Sequence, residues 1–504
     1  MSRRLPIFYS ALLLTGVNLL LRLVGTSFQV YLSGRIGAAG IGLLQLVLSV
    51  GSMSMVAGIA GVRTAAMYLT AEDLGQKRPK KVAQTLSACF LYSIVCSGCA
   101  GAVLYILAPR LADSWIGSPQ SAQALRLLAA FLPLTCLCAV MTGYFTAANR
   151  IGTLAAVEVC EQLCAMGITL LMLRLWAGQD PVRACQCVIL GSCAGSCLTL
   201  GCLVVLRFRE NTGDSGPSPV YHRLLQAAVP LALADLLKSG INTAENLMVP
   251  KRLQRNPRIA DPLACFGVIS GMVFPILMFP ACILFGLAEL LIPELARCAA
   301  AGSSFRISYL VRRSLKAAML YGLAFGGLMY LIAKPLCLCF YESAEAGRLL
   351  RLYAPLIPML YCDAITDAMT KGLGQQKACV RYNILTSALD VAFLYLLLPK
   401  YGMEGYFLSF LITHLINFVL SLRRLLIITK ERIRADIPML ALSAAAAAVF
   451  GASRLSSPFL QCGAYLILLM CLLTLFQVIQ KEDFLWLWKL FFPYPRKKRV
   501  RRSA

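Results

Sequence analysis

The chain has 504 residues, 59% of them hydrophobic and only 14% charged, with a mean hydropathy of +0.73. A soluble domain carries roughly 25% charged residues, so the composition excludes a soluble enzyme and points to an all-α polytopic membrane protein. The net charge of +25 lies in short stretches between apolar segments. That pattern fits the Lys/Arg bias of cytoplasmic loops better than a nucleic-acid surface.

Segments of about 20 apolar residues suit a ~30 Å hydrocarbon layer, and about fourteen follow one another along the chain. The first, 7–31, comes after Arg3 and Arg4 and is too long for a signal peptide. Within it Asn18, Arg22, Gly25 and Gln29 recur at helical spacing and share one face. The second segment, 40–66, ends near Arg63, and the fifth, 153–175, carries Glu158 and Glu161 beside Gln162. In the seventh, 224–249, Asp235, Lys238, Asn242 and Glu245 again share a face. The eighth, 263–291, is interrupted by Pro275 and Pro280 and is followed by Arg297. In the tenth, 350–371, Asp363, Asp367 and Lys371 step by four, so the last two can neutralise one another. Asp390 and His414 stand isolated and read as structural.

Basic residues orient these segments. With the N-terminus inside, inner regions hold 32 Lys and Arg against 13 in outer loops. Both termini are therefore expected in the cytoplasm, in a cell membrane. The loop carrying Lys251, Arg252, Arg255 and Arg258 falls outside, against the rule.

A weak repeat runs through the sequence. Gly42 matches Gly267 at an offset of 225, and Arg150 matches Lys377 at an offset of 227. Two six-helix halves are expected, 1–210 and 220–427, joined by the polar stretch RENTGDSGPSP. Six helices return the chain to its starting side, so the halves are parallel repeats around a central cavity. Residues 437–480 add two helices, and the basic tail 481–504 suits anionic lipid.

Charges inside a membrane normally face water or a partner. Arg22 and Lys238 occupy similar steps of the first helix of each half, and so read as matching walls of an aqueous cavity. Asn18, Gln29 and Asn242 share their faces. Arg63 and Arg297 suit either phosphate oxygens, which arginine grips with a bidentate fork, or anchoring at the cytoplasmic end. Glu158 and Glu161, with Asp235 and Glu245, suit a coupling proton or sodium ion; the alternative is pairing with nearby bases. The 21 cysteines lie mostly in apolar segments and there are two histidines, so no metal site is expected. No hydrolase or Walker signature occurs. Neither an enzyme nor a cofactor is expected, and transport would draw on gradients, potential or substrate supply.

Several motifs together resemble a family. They are GIAGVRTAAMYLTAEDLGQ at the second helix, Gly143-Tyr144-Phe145, Glu161-Gln162, ENLMVPKRL at 245–253 and the run 266–296. With two six-helix halves and two extra helices, the chain resembles the multidrug/oligosaccharidyl-lipid/polysaccharide exporter superfamily. The likeness is to its polysaccharide-transporter branch of sporulation proteins and lipid II flippases. Thr146-Ala147 and Asn246 depart from that pattern. The resemblance implies a flippase for a polyprenyl-diphosphate glycan or peptidoglycan precursor, acting as a monomer with a possible coupling cation. The alternatives are a cation-coupled multidrug exporter of the same superfamily and a non-transporting scaffold for cell-wall synthesis.

Overall fold

A computed structural model describes residues 4–75, 79–148, 150–178, 180–208, 220–431 and 436–480. Among them there is helix and no strand. Helix α1 (residues 4–36) and the first part of helix α2 (residues 38–75) form one continuous run, Arg4–Ile59, whose single non-helical residue is Gly37 (φ 69°, ψ 178°). At 1.5 Å per residue that run would be about 84 Å long, far beyond a bilayer. It is therefore two spans meeting at Gly37, where a positive φ favours glycine. The expected connecting loop at 32–39 shrinks to one residue. Helix α2 is broken again at Ala60 and Gly61 (φ 43° and 72°) before Val62–Gly75.

The first half continues with α3 (Pro79–Leu111), α4 (Ala122–Ala147), α5 (Ile151–Met172) and α6 (Pro181–Phe208). Then come α7 (Val220–Leu253) and α8 (residues 262–300), which bends by 62° at residues 279–280. Pro280 stands at that bend, where a missing N–H frees the chain to turn. The second half is completed by α9 (Ser304–Tyr341), α10 (residues 344–372), α11 (Gln376–Tyr401) and α12 (Met403–Thr429). Last are α13 (Asp436–Ala452) and α14 (Pro458–Leu475).

Ten described helices are long and apolar enough to cross a membrane alone, and eleven with the bent α8. Separating α1 from α2 and adding the shorter α10 and α13 gives the fourteen read from the sequence. Exposed side chains such as Ile106 (73%), Leu175 (78%) and Phe459 (90%) are what a lipid-facing surface requires, since lipid is as apolar as the side chains it meets.

Helices α3 to α6 pack on one another, and so do α8 to α12. The seam between these groups is made by α1 against α8 and α2 against α7. Near the end opposite the chain termini the seam is backbone on backbone. A Cβ on Gly42 would lie 2.2 Å from the Leu263 carbonyl oxygen, and one on Gly267 would lie 1.9 Å from that of Ala38. These are the two glycines the repeat matches. A two-fold relation between the expected halves would bring such matched positions together at its axis. Further along, Gln29 donates to the Gly271 carbonyl (2.9 Å), Thr243 to the Ser49 carbonyl (3.1 Å) and Asn246 to the Ser49 hydroxyl (3.0 Å). At the end bearing the termini, Arg223 of α7 reaches Glu72 at 2.8 Å and the buried Asp73 at 3.8 Å. Helices α13 and α14 pack on α9, where the Tyr465 hydroxyl donates to the Leu323 carbonyl (2.7 Å).

Candidate functional site

Two polar regions lie at membrane depth. The first is the cleft along the seam. Arg22, at mid-height of α1, is exposed and faces Cys282 and Tyr361 of the opposite half. Asp235, Lys238 and Asn242 of α7 are exposed as well. A charge turned to lipid at this depth costs about 2.5–3.5 kcal/mol or more, so water is the surrounding expected for these exposed side chains. Neither Arg22 nor Lys238 makes a hydrogen bond or ion pair among the described residues. Arg63 of α2 is exposed and faces Glu158 of α5.

Other expected residues are placed differently. Gln29 is a strut across the seam through its bond to Gly271. Glu161 is held by α6, accepting from Thr199 at 2.8 Å and Ser196 at 3.3 Å. Its neighbour Gln162 donates to the Leu21 carbonyl at 3.1 Å, and Gly25 leaves room for that amide. Arg297 lies in the last turn of α8, 63% exposed, 3.3 Å from Glu294. The side chain of Asn18 lies outside the described residues.

The second region is a cavity of about 440 Å³ inside the second half. Asn242, Glu245 and Asn246 of α7 line it, with Asp363 of α10, Asn383 and Asp390 of α11, and Thr413 and Asn417 of α12. Glu245 reaches Asp390. Asp390 accepts from Ser409 at 2.5 Å and Thr413 at 3.2 Å. Asp363 accepts from the Asn417 amide at 3.1 and 3.3 Å, which leaves the buried Asn417 Oδ1 without a partner. His414 stacks on Phe410 at 3.9 Å and donates from Nδ1 to the Phe410 carbonyl (3.0 Å). A neighbouring cavity of about 190 Å³ continues past Asp363, His414 and Asn417 to Asp367, which pairs with Lys371 at 2.6 Å.

Two carboxyl groups this close repel when both are ionised. The hydroxyls, amides and carboxylates around them are hard oxygen donors, suited to an alkali cation and not to a soft metal. Among the described residues no cluster of three His, Cys, Asp or Glu is arranged to hold a metal. The sequence reading named Glu245 and Asn242 but set Asp390 and His414 aside. Their partners come from segments far away in the chain. It also passed over Glu289, an exposed carboxylate in the membrane part of α8. The rarity of intramembrane charge was the signal that could have found it.

Comparison with known proteins agrees with this architecture. A family profile described as MatE matches residues 15–173. Stage V sporulation protein B of Bacillus subtilis (strain 168) is 20% identical over 407 residues, covering 78% of each chain. The chain thus resembles the MOP superfamily through a family profile over its first third and one distant relative. Its fold is shared with a multidrug resistance MATE family transporter of that superfamily in an inward-facing conformation. There the TM-score is 0.66 at 15% identity, over 83% of this chain and 100% of that one. It is shared equally with a lipid II flippase in an inward closed conformation, with TM-score 0.65 at 13% identity over 94% and 100%. Its many apolar helices and the fold it shares with these transporters fit a multi-pass membrane protein.

Proposed function

We propose that the protein is a flippase for a lipid-linked, polyprenyl-diphosphate glycan or peptidoglycan precursor, working by alternating access. The observation that carries this reading is the pair of exposed cations, Arg22 and Lys238, on the first helix of each half. A diphosphate entering the cleft would meet both, while its polyprenyl tail stays in the bilayer. Arg63 adds a third cation, tempered by Glu158. The likeness to a sporulation protein and to a lipid II flippase supports the same substrate class. Each cation is expected to contribute a charge-assisted hydrogen bond of about 1.5–3 kcal/mol, which is roughly 10- to 150-fold in affinity.

The acid cavity of the second half supports cation coupling. Glu245 sits inside it, on the helix whose exposed stretch carries Lys238. A cation bound between Glu245 and Asp390 would bias α7, and with it one wall of the cleft. This cavity is also the feature that favours the second reading, a cation-coupled multidrug exporter, together with the MatE match. Arg22 and Lys238 argue against that reading, because a cationic drug would be repelled by them.

Reconstituting Arg22→Ala, Lys238→Ala and the double variant in vesicles tests the proposal. The measurements are binding and flipping of a polyprenyl-diphosphate glycan. Each single variant should bind at least tenfold more weakly, and Arg22→Lys should keep part of the activity because it keeps charge but loses the fork. A correctly inserted double variant that binds and flips like the unaltered protein would sink the cationic-cleft mechanism.

A further inference from the structure

The cleft is not uniformly basic. In α8, Cys282 faces Arg22 across the seam. Seven residues on, two turns and about 10 Å further along the helix, Glu289 lies on that same face and is exposed. The opposite face of this segment is buried through Leu284, Ala288, Leu291 and Leu295, and packs on α10 where Gly372 meets Leu295 and Ile292. Glu289 makes no hydrogen bond or ion pair among the described residues. An unpaired carboxylate turned to lipid would be costly, so the cleft is the space it faces.

Its place in the repeat sharpens the point. The offset of 225 set by Gly42 and Gly267 on this same helix pair puts Arg63 against Ala288, so Glu289 on α8 lies one residue past the step of Arg63 on α2. The first half presents Arg22 and Arg63 to the cleft, while the second half presents a carboxylate close to that step. A purely anionic ligand would be repelled by Glu289, and nothing in the packing of α8 needs a charge there.

We infer that Glu289 is a specificity-determining residue that recognises a protonated amine on the substrate, so that the transported lipid-linked glycan carries both a diphosphate and a free ammonium group. This deepens the flippase reading and rests on it. With the diphosphate on Arg22 and Lys238, an amine about 10 Å further along the helix would meet Glu289. A diphosphate lipid without an amine would leave that carboxylate unpaired and bind less well.

The test compares two ligands, a polyprenyl-diphosphate glycopeptide with a free side-chain amine and its N-acetylated form, in binding and flipping assays with reconstituted protein. The unaltered protein should prefer the free amine about tenfold. Glu289→Gln should weaken binding of the amine form about tenfold and bind the acetylated form at least as tightly as the unaltered protein does, and Glu289→Asp should keep part of the preference. Equal binding of both ligands by the unaltered protein would overturn the inference. So would a Glu289→Gln variant that weakens both ligands alike and loses its response to a sodium or proton gradient, because Glu289 would then hold the coupling cation. If Arg22→Ala leaves both ligands unaffected while the Glu289 preference persists, the diphosphate reading fails and the amine recognition stands.

Discussion

Glu245 and Asp390 come from helices 145 positions apart in sequence and meet in one cavity. If that pair holds the coupling cation, Glu245→Gln and Asp390→Asn should each remove it. A ligand that binds only the folded protein stabilises it by RT ln(1 + [L]/Kd), about 2.7 kcal/mol at one hundred times Kd. Adding sodium, or protons in a sodium-free buffer, should therefore raise the melting temperature of the unaltered protein in detergent and not that of either variant. Glu158→Gln and Glu161→Gln should keep the cation response, since Glu161 is already satisfied by Ser196 and Thr199 and Glu158 faces Arg63. A lost response in those two, with Glu245 and Asp390 variants unaffected, would move the coupling site to the first half. The residue scale is where sequence reading was weakest. Spacing of three or four finds neighbours on one helix, as it did for Asp235 to Glu245. It cannot find Asp390 with Thr413, or Asp363 with Asn417, because those partners meet only when helices pack.

At the scale of elements, the pattern of apolar segments located the helices, since length and hydropathy are properties of single segments. What escaped it were the breaks. The turn between α1 and α2 reduces to Gly37, and α8 bends by 62°. The prolines marked where α8 is weakened, yet not how far it bends, because the bend also depends on what it packs against. The glycine pair in the seam was legible as a repeat match and gained its physical meaning only from the contact. Gly42→Val or Gly267→Val should force α2 and α8 apart, because even a Cβ would stand 2.2 or 1.9 Å from a carbonyl oxygen. Overpacking of this kind costs typically 1–3 kcal/mol, and it burdens only the conformation in which these helices touch. Spin labels on α2 and α8 near this end should therefore report a longer distance in either variant. The unaltered distance in a well-folded Gly267→Val protein would mean that this contact does not govern the opening of the seam.

For the whole molecule, alternating access requires one end of the seam to be closed while the cleft meets the other side. The closed end is the one opposite the chain termini, held by Gly42 with Gly267 and by Gln29 with Gly271. Orientation then decides the direction of transport, and the exception to the charge rule has to be accounted for. The basic loop after α7 lies at that same end. Lys251 donates to the Ser114 carbonyl in the turn following α3, and Arg252 sits 3.2 Å from the centroid of the Tyr395 ring. Asn256 and Ile259 pack at Gly402, between α11 and α12. These contacts fix the loop among segments assigned to the outside, so Lys251 serves packing across the seam and Arg252 packing within the second half, and neither need report topology. In a cysteine-free variant, single cysteines at Gln120, Gln254 and Ala301 give the decisive readout. Gln76, the natural inner marker, lies outside the described residues. An impermeant thiol reagent applied to intact cells should label Gln120→Cys and Gln254→Cys and miss Ala301→Cys until the membrane is opened. Labelling of Ala301→Cys alone would invert the molecule. Labelling of Gln120→Cys without Gln254→Cys would mean that the charge rule holds at this loop and that one segment before it does not cross.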